Sequence, residues 1–455
     1  MAASTRTVRL GDVVDMVTGF PFRSTHYVED PAAVRLVRGD NIVQGALRWD
    51  GVKRWPRESM AGLEKYELVH GDVVLAMDRP WIEAGLKYAA VGENDLPALL
   101  VQRVARLRGV GDLDRGYLRY VIGSAAFTSH VLAAVTGTAV PHISGPQIAS
   151  YEFDLPPLPE QRRIAHVLGT LDDKIELNRR MNETLEEMAR ALFKSWFVDF
   201  DPVRTKAEGR DPGLPPHIAD LFPDRLVDSE LGEIPEGWEV RPLGDLLQVL
   251  ETGGRPKGGV ALYDSGVPSI GAESIVGLGI HDFSKTKYVP REYFDAMRRG
   301  HIQDGDVLLY KDGGKPGQFE PHVTLVGDAF PFGECAINEH VYRLRADSAL
   351  GQAYLYFWLS SEAAETEMRN RGTGVAIPGL NSTQVKSLTT LVPTEPVLAH
   401  FARACGPLIS RILANCNEAR ALAAIRDALL PRLISGEIRS SALGRREAAS
   451  TASGP

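Results

Sequence analysis

Apolar residues recur at helical spacing in two long segments of the chain. The stripe of the first segment consists of Ile164, Leu168, Leu171, Ile175, Met181, Leu185, Met188 and Leu192. That of the second consists of Leu408, Ile412, Cys416, Ala419 and Ala423. Spacings of three and four residues predict two long helices, over residues 159–198 and 398–436, each about 60 Å long. Burying the stripes against each other predicts an antiparallel pair, and the alternative is that each helix packs on its own domain.

The first apolar stripe slips in phase at Asn178. We expect the stretch 178–182 to be exposed.

Shorter patterns indicate an α+β fold outside these helices. Residues 73–77 form an apolar run after Gly71-Asp72, which is typical of a buried strand. Apolar residues at helical spacing over 117–135 predict a helix. The same order returns as a strand at 307–309 and a helix at 354–368.

This return is part of an internal repeat. Leu10-Gly11-Asp12 recurs as Leu243-Gly244-Asp245, and Gly71-Asp72-Val73-Val74-Leu75 recurs as Gly305-Asp306-Val307-Leu308-Leu309. Val104-Ala105-Arg106-Leu107-Arg108 corresponds to Val341-Tyr342-Arg343-Leu344-Arg345 at a similar offset. So long a period is a domain plus a connecting element. The repeat predicts two similar domains, 1–158 and 238–397. Such a pair suits a protein that recognises two different targets.

Proline-rich straps mark the exit from each domain, Leu155-Pro156-Pro157-Leu158-Pro159 and Leu391-Val392-Pro393-Thr394-Glu395-Pro396. Proline ends a strand and is tolerated at a helix start, so each strap leads into one of the long helices. Residues 199–237 are rich in Pro, Asp and Gly and predict an extended, partly ordered connector. Residues 437–455 predict a disordered tail.

Composition narrows the class of protein. The chain has 455 residues, of which 44% are hydrophobic and 24% charged, as in soluble globular proteins. We expect no membrane span and a cytoplasmic location. Cys335, Cys405 and Cys416 have neither metal-ligand nor disulfide spacing, which predicts small buried side chains.

The net charge of −8 argues against a general polyanion binder. Counting Lys and Arg against Asp and Glu gives −1 for residues 1–155 and −5 for residues 238–398. DNA binding by these domains would therefore depend on local basic loops and on partner subunits that neutralise phosphates.

Five motifs resemble those of specificity subunits of type I restriction-modification systems. They are Pro157-Leu158-Pro159-Glu160-Gln161-Arg162-Arg163-Ile164-Ala165, Ser195-Trp196-Phe197-Val198-Asp199-Phe200-Asp201-Pro202-Val203, Leu221-Phe222-Pro223-Asp224, Leu231-Gly232-Glu233-Ile234-Pro235-Glu236-Gly237-Trp238 and Leu430-Pro431-Arg432-Leu433-Ile434-Ser435-Gly436-Glu437-Ile438. The resemblance covers nearly the whole chain. The strap with Thr394-Glu395-Pro396-Val397 departs from the family pattern, which puts the start of the second helix in doubt.

The resemblance implies two α/β target recognition domains, each reading one half of a bipartite double-stranded DNA site, held apart by two long antiparallel helices. It implies a non-catalytic chain without a cofactor. Two methyltransferase subunits with S-adenosylmethionine, which methylate adenine, and two restriction subunits with ATP and Mg would be its partners. The helices would set the spacer and dock the methyltransferases. The candidate residues of these partner-binding helices are Ile164, Leu168, Leu171, Ile175, Leu185, Leu192, Leu408 and Ile412.

Motifs for catalysis are missing from the sequence itself. Neither Pro-Pro pair lies in the Asn/Asp-Pro-Pro-aromatic motif of amino-methyltransferases, and Gly314-Lys315 is followed by Pro316 rather than Ser or Thr. Asp172-Asp173-Lys174 resembles a nuclease motif but lies in a predicted helix, which favours a solvated face or interface. His142, His322 and His340 form no pattern of a metal site or catalytic triad.

Loops in which basic residues meet aromatic, glycine or amide side chains indicate DNA reading, because Arg and Lys reach guanine or phosphates and Gln reads adenine. The candidates are Arg23, Ser24, Lys53, Arg54, Trp55, Arg79, Trp81, His142, Arg255, Lys257, Lys285, Lys287, Lys311, Lys315 and Gln318. Each could instead be an ordinary surface charge. The loops Gly137-Thr138 and Gly372-Thr373 either allow close ligand approach or are plain turns.

Three functions remain open. The first is the type I specificity subunit, or one of a related methyltransferase-nuclease system. The second is an enzyme that modifies or cuts DNA, which the missing motifs disfavour. The third is a stand-alone DNA-binding regulator, which the acidic domains disfavour.

Overall fold

Each copy of the sequence repeat folds into a mixed set of sheets and short helices. A computed structural model describes residues 5–136, 140–281, 283–315, 317–327, 330–372, 374 and 378–438. The fold comprises two units, residues 1–174 with 422–455 and residues 175–421. The loop residues Gly137, Thr138 and Thr373 and the tail beyond residue 438 lie outside the described residues.

The first unit is built on a five-stranded sheet. In spatial order its strands are Val14–Thr18, Val104–Gly109, Val73–Ala76, Tyr88–Ala90 and Gln44–Gly45. A three-stranded sheet comprises Ala98–Leu100, Val34–Val37 and Arg54–Trp55. Two strand pairs are Arg6–Arg9 with Glu152–Leu155 and Trp81–Ile82 with Gly85–Leu86. The shorter helices are Leu10–Val13, Arg115–Ile122, Ala125–Ala134 and Gly145–Ala149.

The second unit repeats this plan. Its main sheet comprises Leu247–Thr252, Val341–Ala346, Val307–Tyr310 and Val323–Leu325. A three-stranded sheet comprises Lys287–Val289, Val267–Ile270 and Ala336–Ile337. The strand pairs are Glu239–Pro242 with Thr389–Val392, Leu226–Ser229 with Gly232–Pro235, Ile275–Gly277 with Ile280–His281, and Gly314–Lys315 with Gln318–Phe319. The shorter helices are Asp201–Ala207, Pro216–Ala219, Arg291–Ala296, Gln352–Leu359, Glu362–Arg371 and Ser382–Lys386.

The repeated Leu-Gly-Asp motif forms the same junction in both units. Leu10 N donates to Tyr151 O and Leu243 N donates to Leu388 O, each at 2.8 Å. A Cβ atom at Gly11 would lie 2.9 Å from the Cβ of Ala149, and one at Gly244 would lie 2.8 Å from the Cβ of Lys386. Only glycine allows this close approach, which explains why the motif recurs.

The repeated Gly-Asp motif supplies a buried carboxylate to each main sheet. Asp72 accepts hydrogen bonds from Arg108 at 2.6 and 2.8 Å and from Val69 N at 2.9 Å. In the second unit Asp306 accepts from Arg343, from Arg345 at 2.9 Å and from Gln303 N at 2.7 Å. Both carboxylates have 0% exposure. Each therefore ties the turn before one strand to arginines on the next.

Both helices predicted after the main strands are divided. The segment 117–135 forms Arg115–Ile122 and Ala125–Ala134, and the segment 354–368 falls in Gln352–Leu359 and Glu362–Arg371. Ser124 Oγ accepts from Phe127 N at 3.1 Å, and Ser361 Oγ accepts from Ala364 N at 3.3 Å. A serine N-cap starts a new helix in each case, so the single helices predicted from the apolar spacing were wrong.

The two long helices are Leu158–Phe197 and Glu395–Ile434. In the second unit Asn178 Nδ2 donates to Glu418 at 2.9 Å and Asn415 Nδ2 donates to Asn182 Oδ1 at 2.9 Å. In the first unit Arg426 Nη1 donates to Asp172 at 2.9 Å. Contacts thus move back along one helix as they advance along the other, which confirms the predicted antiparallel pair.

The expectation of an exposed stretch at 178–182 holds for Arg179 and Arg180 only. Asn178 has 0% exposure, whereas Met188, which the sequence placed on the apolar stripe, is 54% exposed. The buried face runs through Asn178 and Asn182 to Ala189, and the asparagine amides bond the partner helix. Polar side chains occupy positions of the stripe, and this explains its apparent slip.

Residues 199–237 contain more structure than the sequence predicted. Phe200, Val203 and Phe222 are buried in the core of the second unit, where Trp196 and Phe222 lie 5.0 Å apart between ring centroids. This aromatic packing orders the connector despite its proline and glycine content.

The helix Glu395–Ile434 includes a window of 18 residues with a mean hydropathy of 1.2 and is, by length and composition alone, apolar enough to cross a membrane. The sequence predicted no such stretch. Phe401, Cys405 and Ile412 lie in the core of the second unit and Leu433 in that of the first, as in a core helix of a folded domain.

Candidate nucleic-acid interface

Asp78, which follows the strand Val73–Ala76, organises one edge of the first unit. Arg103 Nη1 donates to both of its carboxylate oxygens at 3.0 and 2.9 Å, and His142 Nδ1 lies 2.6 Å from Oδ1. The backbone completes the arrangement, with Met77 N donating to Arg103 O at 2.9 Å and Arg79 N to Pro141 O at 2.7 Å. Three loops are thereby fixed around one carboxylate.

A cleft of about 800 Å³ opens beside Asp78. Its polar lining residues are Ser24, Arg38, Asp40, Lys53, Asp78, Arg79, Lys87, Gln102 and Arg103. Five are basic and two acidic, so the cleft is a local basic site on a domain of slightly negative net charge. Burial lowers the pKa of the Lys87 ammonium, Arg79 and Arg48 lower it further, and Asp40 opposes them. Crowded cations of this kind favour an anionic ligand.

Arg79 projects into this cleft from an unusual backbone conformation. Its φ is 45°, in the left-handed region that non-glycine residues rarely adopt. The corresponding residue of the second unit is Gly313, whose φ is 145°. Strained residues of this kind cluster at functional sites.

The second unit has the same scaffold with different chemistry. Asp312 lies 2.6 Å from His340 Nδ1, Lys311 N donates to His340 O at 3.0 Å, and Gly313 N donates to Pro378 O at 2.9 Å. At the rim, Arg255 Nε pairs with Glu339 Oε1 at 2.7 Å. Lys311 Nζ lies 3.9 Å from Asp312 and donates to Glu339 O at 3.1 Å. Arg255 and Lys311 are therefore held by acidic residues and backbone of their own unit.

Comparison with known proteins explains why two such edges occur in one chain. The profile of the family described as "Type I restriction modification DNA specificity domain" matches residues 6–187 and 235–396. These stretches include both scaffolds and most of the chain. The chain belongs to this family.

Two known members are similar to this chain over most of their length. The type I restriction enzyme MjaIX specificity subunit of Methanocaldococcus jannaschii is 28% identical over 363 residues, which cover 78% of this chain and 76% of that protein. The HindI specificity subunit of Haemophilus influenzae is 26% identical over 353 residues, covering 66% and 71%. The crystal structure of a type I S subunit from M. genitalium matches with a TM-score of 0.54 at 13% identity, covering 94% of this chain and 96% of that one, which supports the fold.

For this member of the specificity family, the structure brings only some of the sequence candidates of the first unit together. Ser24, Lys53 and Arg79 line the cleft, and His142 reaches it through Asp78. Arg23, Arg54 and Trp81 are not among the lining residues. Trp81 is 42% exposed on its own strand pair.

Trp55 does not fit the surface role that the sequence suggested. It is 8% exposed, packs against Phe22 with ring centroids 4.8 Å apart and donates from Nε1 to Ser59 O at 3.0 Å. Arg54 and Trp55 alternate across a strand, so one side chain points inward while the other stays half-buried. Trp55 is therefore a core residue.

In the second unit Arg255 and Lys311 meet at Glu339. Lys257, Lys287 and Gln318 are exposed. Lys285 and Lys315 have described backbones, but their side chains lie outside the described part of the structure.

Sequence reasoning missed Arg38, Lys87, Gln102 and Arg103 in the first unit and Glu339 and His340 in the second. Gln102-Arg103 and Glu339-His340 directly precede the repeated strands Val104–Gly109 and Val341–Ala346. Extending the repeat alignment by two residues would have identified both pairs as equivalent.

Asp172 of the nuclease-like motif has a structural role in the family member described here. It accepts from Arg119 at 3.1 Å, from Tyr120 Oη at 2.7 Å and from Arg426 at 2.9 Å. Within the described ranges, no group of three or more His, Cys, Asp or Glu side chains could hold a metal ion.

Proposed function

We propose that this chain is the DNA-recognition subunit of a type I restriction-modification complex, in which each unit reads one half of a bipartite duplex site. Family membership supports the recognition role, and the two matched stretches supply one reading domain each. The observation that carries the proposal is the basic cleft around Asp78. It gives a slightly acidic domain a local surface for phosphates and base edges.

In this proposal the chain itself performs no catalysis. Methyl transfer would occur on two methyltransferase subunits that bind S-adenosylmethionine, and cleavage on two restriction subunits that use ATP and Mg. The side chains of Asp172 and His142, which could suggest chemistry, are engaged in ion pairs or hydrogen bonds within their own unit.

The long helices would dock the methyltransferase subunits and set the spacer between half-sites. Ile164, Leu168 and Ile412 have at most 1% exposure, so they hold the chain's own fold together rather than face a partner. The exposed apolar side chains Leu177, Met188 and Ile425, each about half exposed, are better docking residues. Each helix has 40 residues, or about 60 Å, which exceeds one duplex turn of about 34 Å.

We expect the isolated chain to bind its target DNA weakly and to gain affinity with its methyltransferase partner. The reason is that phosphate neutralisation dominates affinity and both reading domains are acidic overall. Titration of a labelled duplex at fixed salt, with and without the partner, measures the gain. Equal affinity in both titrations would contradict the proposal and favour a stand-alone DNA-binding regulator.

The Lys87→Ala variant should weaken binding about equally for all sequences and reduce the salt slope by about one. Lys87 lies among the cations of the cleft, and a point charge there suits a phosphate. The slope is measured by titrating the complex between about 50 and 200 mM salt. Lys65→Ala is the matched control, because Lys65 is exposed and outside the cleft, and an equal effect there would remove the cleft from the interface.

A further inference from the structure

Gln102, which precedes the cleft residue Arg103, has a counterpart of different chemistry in the second unit. Gln102 lies before Arg103, and Glu339 lies before His340. The backbone bonds Met77 N to Arg103 O and Lys311 N to His340 O place the two pairs at the same position of the scaffold, and the Asp78 and Asp312 contacts agree. Position 102 in one unit therefore corresponds to position 339 in the other.

The backbone at Gln102 is held rigidly. Gln102 N donates to Phe20 O at 2.9 Å, and Arg103 O accepts from Met77 N at 2.9 Å. A side chain on such a turn is presented in a defined direction with little backbone entropy to lose.

The amide of Gln102 is available to a ligand. The residue is exposed and lines the basic cleft, and within the described part of the chain no group hydrogen-bonds its side chain. In contrast, Glu339 is held by Arg255 at 2.7 Å and lies 3.4 Å from His340 Nε2. One unit thus offers a free amide at this position, whereas the other uses a carboxylate to hold an arginine.

We infer that Gln102 is a specificity-determining residue that reads one adenine of the half-site bound by the first unit. This inference rests on the proposed function. A carboxamide donates to N7 and accepts from N6 of adenine at once, a pairing that no other base edge offers in the major groove. The surrounding cations Lys53, Arg79 and Lys87 would hold the adjacent phosphates and leave the neutral amide for the base.

The test uses the full chain with its methyltransferase partner. Selection from random duplexes first defines both half-sites, and affinities are then measured for all four bases at each position. Gln102→Ala should lose roughly tenfold or more in preference for adenine at one position of one half-site, leaving the other half-site unchanged. Wild-type complex should show a similar loss when 7-deazaadenine replaces that adenine, and the variant should show no further loss.

Two further variants sharpen the result. Gln102→Glu keeps the size of the side chain but removes the donor to N7, so it should also lose the adenine preference. Gln44→Ala is the matched control in the same unit, because Gln44 is exposed, outside the cleft and bonded to Gly85 O at 3.4 Å. Unchanged preferences at the other positions of the first half-site show that the first unit of each variant is folded.

Several outcomes overturn the inference. Equal weakening for all sequences would make Gln102 a phosphate contact, and unchanged preferences would make it a bystander. In either case a wild-type complex that still selects a bipartite site leaves the proposed function standing. A wild-type complex without any sequence preference would refute the proposed function as well.

Discussion

The Asp306→Ala variant is expected to lose about 3–5 kcal/mol of stability in the second unit. Asp306 is fully buried and bonds both Arg343 and Arg345, and Arg343 itself is only 7% exposed. Removing the carboxylate leaves the buried Arg343 and the half-buried Arg345 with one fewer partner each, although Glu251 still accepts from Arg343 at 2.8 Å. The variant also loses the hydrogen bond that the backbone N–H of Gln303 donates to Asp306 at 2.7 Å.

Amide hydrogen exchange resolves the effect by unit, because the strand Val341–Ala346 reports on the second and Val104–Gly109 on the first. In the Asp306→Ala variant, amide hydrogen exchange should accelerate in the second unit only. Asp295→Ala is the control, since its pair with Arg291 at 3.1 Å is exposed and surface pairs contribute at most about 1 kcal/mol. A loss below about 1 kcal/mol for Asp306→Ala would show that the buried network is not what holds the sheet.

Inserting four residues into both long helices, after Lys174 and after Ala421, is expected to change the recognised site by lengthening its spacer. Four residues add about 6 Å and nearly preserve the helical phase, which corresponds to roughly two base pairs at 3.4 Å each. Both helices must change, because they contact each other through Asp172 with Arg426 and through Asn178 with Glu418. An insertion in one helix alone would misalign these pairs.

Mapping methylated adenines in cells that contain the partner subunits gives the spacer and both half-sites directly. The half-sites should stay the same. An equal insertion after the exposed Gly209 should leave the spacer as it was, because a Cβ there would meet no atom within 4 Å. Insertion in the first helix alone should abolish specific methylation. An unchanged spacer with methylation retained in the double insertion would refute the role of the helices in spacing.

The sequence predicted most of the architecture because the determining signals are local or repeated. The Leu-Gly-Asp and Gly-Asp motifs recur because each forms a junction that tolerates few substitutions, a close backbone approach at Gly11 and a buried carboxylate at Asp72. Apolar spacing located both long helices. It failed at Ser124 and Ser361, since capping by a single hydroxyl outweighed a continuous apolar pattern.

The site was less predictable because it depends on contacts between distant residues. Asp78 joins Arg103 and His142, which lie 25 and 64 residues away. The cleft that Gln102 lines also takes Arg38, Lys53 and Lys87 from distant parts of the chain. Trp55 shows the opposite error, since its neighbours Lys53 and Arg54 suggested a surface loop while strand alternation placed the ring in the core.

Arg79 combines a strained backbone, which lowers stability, with a cationic side chain that lines the cleft. A left-handed arginine costs roughly 1–2 kcal/mol relative to a conformation it prefers, and the glycine at the equivalent place in the second unit avoids that strain. Mutation of Arg79 to glycine would relax the first unit while deleting a cation of its cleft. In the proposed function, selection for a more stable fold and selection for recognition of one DNA sequence would therefore act in opposite directions on this codon.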